Sequence, residues 1–292
     1  MKKNEIFEGY DEYILSTYTR LPVAFVKGKG MKLIDVDGKE YLDFFPGWGV
    51  SNVGHCHPKV MSGVRDQIGK LIHIPNNLYH PQQAKLAKEI IRASFPGKVF
   101  FCNSGAEGVE AAIKFARAYG EGTRHEIITM ENSFHGRTIG ALSATGQKKY
   151  QSGFSPLLEG FKIIPFNDLG AFKSALSDKT VAVTFELVQG EGGINVADKN
   201  YVKEIRKICD ERNMLLILDE VQTGIGRTGE MFGFKSYGIT PDLMVLAKSL
   251  GGGLPIGALI VKKELSHIFK PGMHASTFGG SPLVCKAALG VF

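Results

Sequence analysis

"MLLILDE", residues 214 to 220, decides the fold class. Five apolar residues run without interruption into Asp219 and Glu220, as in a strand covered on both faces. A half-solvated strand would alternate instead. Ligands of open α/β sheets bind beyond the carboxyl ends of the strands, so the acids that close this run fall where chemistry is expected. Outward from it, apolar runs alternate with amphipathic stretches: "KVFF" (98–101) then "GVEAAIKFARAYG" (108–120), "EIITM" (126–130), "VAVTFEL" (181–187) then "KNYVKEIRKICDERN" (199–213), and "DLMVLAK" (242–248). That rhythm predicts βαβ units and an α/β fold with a mostly parallel, doubly covered sheet. Within 108–120, Val109, Ala112, Ile113 and Ala116 recur three and four apart, which predicts a helix with that face on the core.

The start of the chain reads differently. "AFVKGKGMKLIDVDGKEYLDFF" (24–45) alternates apolar residues around an Asp37-Gly38 turn, a β-hairpin pattern. Residues 1–48 are therefore expected to lie outside the main sheet, and 49–292 to form the large domain. At the other end, "SPLVCKAALGVF" (281–292) begins an amphipathic helix with no Gly or Asn cap after it, and reads as a chain cut short. At 292 residues and 43% hydrophobic, the chain can bury the core of one large domain with a smaller satellite. The net charge of +6 is scattered from Lys2 to Lys286 without a basic block, which argues against nucleic acid and favours small anionic partners. Cys56, Cys102, Cys209 and Cys285 show no CxxC pairing, so neither a disulfide framework nor a zinc ribbon is indicated, and a reducing compartment fits. No stretch reaches about 18 apolar residues, so a cytoplasmic protein without a membrane partner is expected.

Five stretches carry residue types suited to chemistry. In "FCNSGAEGVEAAIK" (101–114) a strand passes through Asn103, Ser104 and Gly105 straight into a helix, whose free N–H groups and positive end suit an anion; the alternative is that Ser104 only caps the helix. "ENSFHGRTIGALSATG" (131–146) offers Phe134 for stacking and Arg137 for a carboxylate. "LILDEVQTGIGRTG" (216–229) sets Asp219, Glu220 and Gln222 at a strand end; Asp219 suits a cationic ring nitrogen, and adjacent strand positions send 219 and 220 to opposite faces. "VLAKSLGGGLP" (245–255) ends a strand with Lys248, which either snorkels to solvent or, desolvated, serves as a nucleophile toward a carbonyl. "HASTFGGSP" (274–282) supplies the hydroxyls of Ser276 and Thr277. "GHCHP" (54–58) invites a metal reading, but its adjacent ligands lack the usual spacing and no metal site is expected.

A lysine for an imine, an aspartate for a pyridinium nitrogen, an aromatic stack and a helix terminus for a phosphate form the set that pyridoxal 5'-phosphate requires. From about residue 17 to the end, the motif order resembles the fold-type I, class III aminotransferases. Within them it resembles the branch acting on N2-acetylornithine, through "TYTRLPVAFVKGKG", "YLDFFPG", "GHCHPKV", "FCNSGAEGVEAAIKFAR", "NSFHGRT", "VQGEGG", "LDEVQTGIGRTG", "AKSLGGGLPIGA" and "STFGGSPL". The resemblance implies that Lys248 holds the cofactor and shuttles a proton, and that Asp219 pairs with the ring nitrogen. Val221 and Phe134 would sandwich the ring, Gln222 would reach its phenolic oxygen, and Gly105 and Ala106 would bind the phosphate. Glu220 is grouped with these cofactor contacts. Thr277 would reach the phosphate from the neighbouring subunit, implying a homodimer. Arg137 and Ser276 would hold the acylated donor, and Glu191 would hold and release a switch arginine that this family carries in a C-terminal small domain, here expected to be absent. The implied activity moves the δ-amino group of N2-acetylornithine to 2-oxoglutarate, in arginine biosynthesis. The alternatives are another ω-amino donor (succinylornithine, ornithine, an acetyl-lysine or 4-aminobutyrate) or a cofactor-binding chain without turnover.

Overall fold

The computed structural model describes residues Met1–Phe292. The chain opens with α1 (Lys3–Tyr13), β1 (Phe25–Lys29), β2 (Lys32–Asp35) and β3 (Glu40–Leu42), then α2 (Pro58–Ile68) and α3 (Pro81–Ala93). It continues through β4 (Gly97–Cys102), α4 (Gly105–Tyr119), β5 (Glu126–Met130), α5 (Ile139–Ala144), α6 (Lys148–Gln151), β6 (Phe161–Ile164) and α7 (Leu169–Ala175). There follow β7 (Thr180–Phe185), β8 (Val188–Gln189), β9 (Asn195–Val196), α8 (Lys199–Arg212), β10 (Leu215–Asp219), β11 (Leu243–Leu246), β12 (Gly257–Lys262) and α9 (Pro282–Leu289).

β1, β2 and β3 form an antiparallel three-stranded sheet that shares no strand with the main one. The Asp37-Gly38 turn joins β2 to β3, with Gly38 at φ +84, a conformation that favours glycine. The main sheet has seven strands in the order β4-β12-β11-β10-β7-β5-β6. It is parallel from β11 to β6, and β12 runs antiparallel to both of its neighbours. β4, β5, β7, β10 and β11 therefore end on the same edge, where β12 begins.

β10 is buried at every position, as the unbroken apolar run of 214–218 required. One apolar cluster lies against α4 and includes Val109, Ala112, Ile113 and Ala116, the face expected of that helix. The other gathers side chains of α3, α8 and α9. With a cluster on each face, the sheet is doubly covered. All four cysteines are free, and only Cys56 is exposed.

Two expectations need correction. α9 does meet a cap, because Gly290 occupies its C-cap position. Lys248 does not end the strand: β11 stops at Leu246, and Lys248 opens a 3-10 turn, Lys248–Gly251, with φ +46. The turn is stapled by Ser249, whose hydroxyl donates to the Gly49 carbonyl at 2.5 Å.

Candidate active site

Five strand ends and one strand start converge on a cavity of about 470 Å³. Asn103–Ala106 follow β4, Phe134–Arg137 follow β5, Glu186 follows β7, Asp219–Gln222 close β10, Ala247 and Lys248 follow β11, and Gly253–Ile256 precede β12. Each of these segments is thus anchored by a strand of the central sheet, which gives the site a rigid floor.

At one wall α4 begins. The Ser104 hydroxyl accepts from the Glu107 amide at 3.2 Å, and the Glu107 carboxylate accepts from the Asn103 amide at 2.9 Å. This reciprocal capping satisfies the outer donors of the helix start, while the Gly105 and Ala106 amides fall where a helix has no carbonyl of its own to offer. Ser104 is therefore a cap, and the same turn still presents two donors and the positive helix end to the cavity. A Cβ on Gly105 would stand 2.9 Å from Cγ2 of Val221, so only glycine lets the helix start approach that wall so closely.

Asp219 is 4% exposed. Its Oδ1 accepts from the Val221 amide at 3.1 Å, and its Oδ2 lies 2.7 Å from His135 Nδ1. Burial opposes charge on His135, but the hydrogen bond and charge of Asp219 outweigh it, and its pKa is raised. Lys248 lies partly buried among the same groups: burial lowers its pKa against the pull of Asp219, Glu191 and Glu186. An amine held this way is neutral more often than an exposed one, the state in which it attacks or takes up a proton. Phe134 and Val221 supply the apolar lining. Gln222 lines the cavity and donates to the Trp48 carbonyl at 3.3 Å, and a Cβ on Gly190 would collide with its carboxamide. Glu191 and the exposed Arg137 complete the rim.

Lys248, Asp219, Gly105, Ala106, Phe134, Val221, Gln222, Arg137 and Glu191 thus share one cavity. Glu220 does not. Pleating turns it to the opposite face, where its carboxylate accepts from the Gly233 and Phe234 amides at 2.6 and 2.7 Å. There burial pushes its pKa up to about 7. Its expected contact with the cofactor is corrected to a clamp on the 3-10 turn Gly233–Tyr237. Ser276 and Thr277 line a separate hollow with His274, Glu107 and Glu110. Ser276 Oγ accepts from Asn103 Nδ2 at 3.2 Å, and Thr277 is exposed. In "GHCHP", His55 pairs with Asp43 at 2.7 Å, and no three potential ligands gather as a metal group would need.

Two site groups were not singled out from the sequence. Glu186 lies just beyond β7, as Asp219 lies at the end of β10, a parallel that could have revealed it. Its Oε2 accepts from the Phe134 amide at 3.1 Å, and burial pushes its pKa up to about 8. His135 was legible as a histidine but not as a partner of Asp219, 84 residues away.

Comparison with known proteins gives a consistent picture. The family model described as aminotransferase class-III matches residues 13–292. Acetylornithine aminotransferase of Methanocaldococcus jannaschii is 55% identical over 284 residues, covering 95% of this chain and 71% of the relative. Its counterpart from Caldanaerobacter subterraneus subsp. tengcongensis is 54% identical, with coverage of 96% and 72%. Among solved structures, the ornithine aminotransferase of Toxoplasma gondii superposes with a TM-score of 0.95 at 33% identity, covering 100% of this chain and 71% of that one. Acetylornithine aminotransferase from Elizabethkingia anophelis gives a TM-score of 0.87 at 31% identity, covering 100% and 72%.

Proposed function

This chain belongs to the class-III aminotransferases, which depend on pyridoxal 5'-phosphate, and on that premise we propose that it transfers the δ-amino group of N2-acetylornithine to 2-oxoglutarate. The observation that carries the reading is the meeting of Lys248, Asp219 and the start of α4 on one cavity. The donor set fits the cofactor. Two helix-start amides suit a phosphate, a buried carboxylate suits a ring nitrogen, and two apolar side chains suit the ring faces. The glycine cradle at 105 brings the phosphate donors up to the Val221 wall.

When bound, the cofactor supplies a carbonyl for an amine and a conjugated ring that withdraws electrons. The residues supply the rest. Lys248 would hold the cofactor through Nζ, and the same atom would take up and return a proton. Asp219 keeps a proton on the ring nitrogen, and the His135 hydrogen bond fixes which way its carboxylate faces. The Gly105 and Ala106 amides orient the phosphate, Phe134 and Val221 hold the ring and exclude water, and Gln222 reaches the phenolic oxygen. Arg137 orients the acylated donor from the rim, Ser276, in the separate hollow beside Thr277, would reach a donor only across the same subunit contact, and Glu191 would pair with the switch arginine that the family carries in its C-terminal small domain. In this reading residues 1–48 belong to a small domain and 49–292 to the large one, supported by the separate sheet of β1–β3.

The same reading makes the enzyme a homodimer in which Thr277 serves the partner's phosphate. Phe278, next to Thr277, is 60% exposed and meets the His73 ring, and the segment 71–79 that carries His73 also exposes Ile72, Leu78 and Tyr79. Large apolar side chains grouped on a surface mark an interaction face.

Replacing Lys248 by alanine should remove the mass that borohydride fixes on the wild-type chain and lower turnover by several orders of magnitude, because the covalent step is lost. Wild-type turnover in that variant would overturn the assignment. A panel of amino donors with 2-oxoglutarate then separates N2-acetylornithine from succinylornithine, ornithine, acetyl-lysine and 4-aminobutyrate. Cofactor uptake with no turnover on any donor would support a binding chain instead.

A further inference from the structure

Arg137 reaches the cavity rim from the loop after β5, and none of the chain's ion pairs involves it. What meets its guanidinium is aromatic. Its Cζ lies 4.0 Å from the ring centroid of Tyr150 and 5.7 Å from that of Phe134. The two rings stand edge to face, 5.6 Å apart at 82°. Tyr150 does not line the cavity, whereas both residues its ring touches do.

The segment carrying Tyr150 is tied to the segment carrying Phe134 and Arg137. At the N-cap of α6, the Gln147 carboxamide donates to the carbonyls of Asn132 and Ser133 at 3.3 and 3.1 Å. Gln151 donates to those of Leu142 and Thr145 at 3.2 and 2.9 Å. Between them, the Gly146 amide donates to Ser133 Oγ at 2.9 Å, and the Asn132 amide to the Gly146 carbonyl at 2.9 Å. The Tyr150 ring is thereby a fixed platform. Lys149 Nζ stands 4.7 Å from the same centroid and adds a second positive charge beside it.

We propose that Tyr150 is a positioning residue for substrate selection: its ring face holds the Arg137 guanidinium, and its edge-to-face contact couples that guanidinium to Phe134. The claim rests on the reading of Arg137 as the group that binds the donor's carboxylate. A flexible arginine loses rotamer freedom when it grips a carboxylate, whereas one already stacked on a ring has lost much of it beforehand. Tyr150 thus favours donors that place an anionic end at a set distance from the reacting amine, without touching the donor itself.

The test uses a ligand that cannot react: N2-acetylnorvaline, the donor without its δ-amine, titrated calorimetrically into the cofactor-loaded chain. Tyr150→Leu should raise its Kd about fivefold to tenfold, the range expected for a partly desolvated cation–π contact, and Tyr150→Phe should stay within about twofold of wild type. KM for N2-acetylornithine should rise in parallel while kcat falls far less. Should the leucine variant fail to fold, fluorinated phenylalanines at 150 keep the ring's shape while draining its negative face, and Kd should climb with each fluorine. A Kd unchanged in Tyr150→Leu, or flat across the fluorinated series, while Arg137→Leu weakens binding overturns the role of Tyr150 and leaves Arg137 in place. A Kd unchanged in Arg137→Leu removes the underlying reading of Arg137 and the proposal with it.

Discussion

At the scale of single residues, the site depends on how buried charges are paired. Asp219 is almost fully enclosed and has two hydrogen-bond partners, the Val221 amide and His135. A hydrogen bond to a charged group contributes about 1.5–3 kcal/mol, and removing one partner leaves the other's desolvation uncompensated. His135→Ala should therefore weaken cofactor binding by roughly tenfold to a hundredfold, since the carboxylate that faces the ring nitrogen loses both orientation and charge stabilisation. Titrating pyridoxal 5'-phosphate into the apoprotein and following its absorbance measures this, and an affinity within twofold of wild type would remove His135 from the site. The neighbouring acid illustrates the other side of the pleat. Asp219 and Glu220 are adjacent in sequence, yet one faces the cavity and the other clamps a turn, because the strand sends them to opposite faces.

At the scale of elements, the strands fix what the connecting loops present. The 3-10 turn Gly233–Tyr237 hangs on the Glu220 carboxylate through two backbone amides, both buried. Glu220→Ala would leave those amides without partners, at a cost of about 1–3 kcal/mol for each unsatisfied donor. The variant should unfold in urea with a free energy lower by about 2–4 kcal/mol, more than the typical point mutation. An unchanged midpoint would show that water or another acceptor replaces the clamp. α4 shows how one element serves two ends: its face of Val109, Ala112, Ile113 and Ala116 packs on the sheet, and its first turn, held by Ser104 and Glu107, directs amides into the cavity.

At the scale of the whole molecule, burying several titratable groups at the carboxyl edge of the sheet ties stability to pH. Burial raises the pKa of Glu220 to about 7 and of Glu186 to about 8, so between their ordinary values and these the folded chain binds more protons than the unfolded one. Stability from a raised pKa is present below the unfolded value and is lost as pH rises through the folded one. His135, raised by Asp219, acts in the same sense, and Lys248, lowered chiefly by burial, acts in the opposite one. The unfolding free energy should therefore fall by roughly a few kcal/mol from about pH 5 to about pH 8. Denaturant titrations of the apoprotein across that range would show the decline; a flat or rising profile would contradict it.

The fold class was legible in 214–220 and in the spacing of Val109, Ala112, Ile113 and Ala116, because burial selects apolar residues at each element's own period. The strand-end position of Asp219, the helix start at Gly105 and the nearness of Lys248 to the same edge were legible for one reason, that parallel strands alternating with helices put their carboxyl ends on one edge, but the 3-10 turn that carries Lys248 was not. What no local pattern encodes is which distant groups meet there. His135 against Asp219, Glu186 beneath the Phe134 amide, and Tyr150 against Arg137 are contacts across separate segments, fixed only when strand order sets those segments side by side. Glu220 makes the same point in reverse, since its neighbour lines the cavity while its own side chain finds its partners only where the tertiary fold brings Gly233 and Phe234 beneath it. The sequence by itself determined the layers and the reactive edge, through periodicity and burial. The tertiary structure alone decided the pairings of charge and ring, because those contacts depend on strand order and on the side chains' final directions.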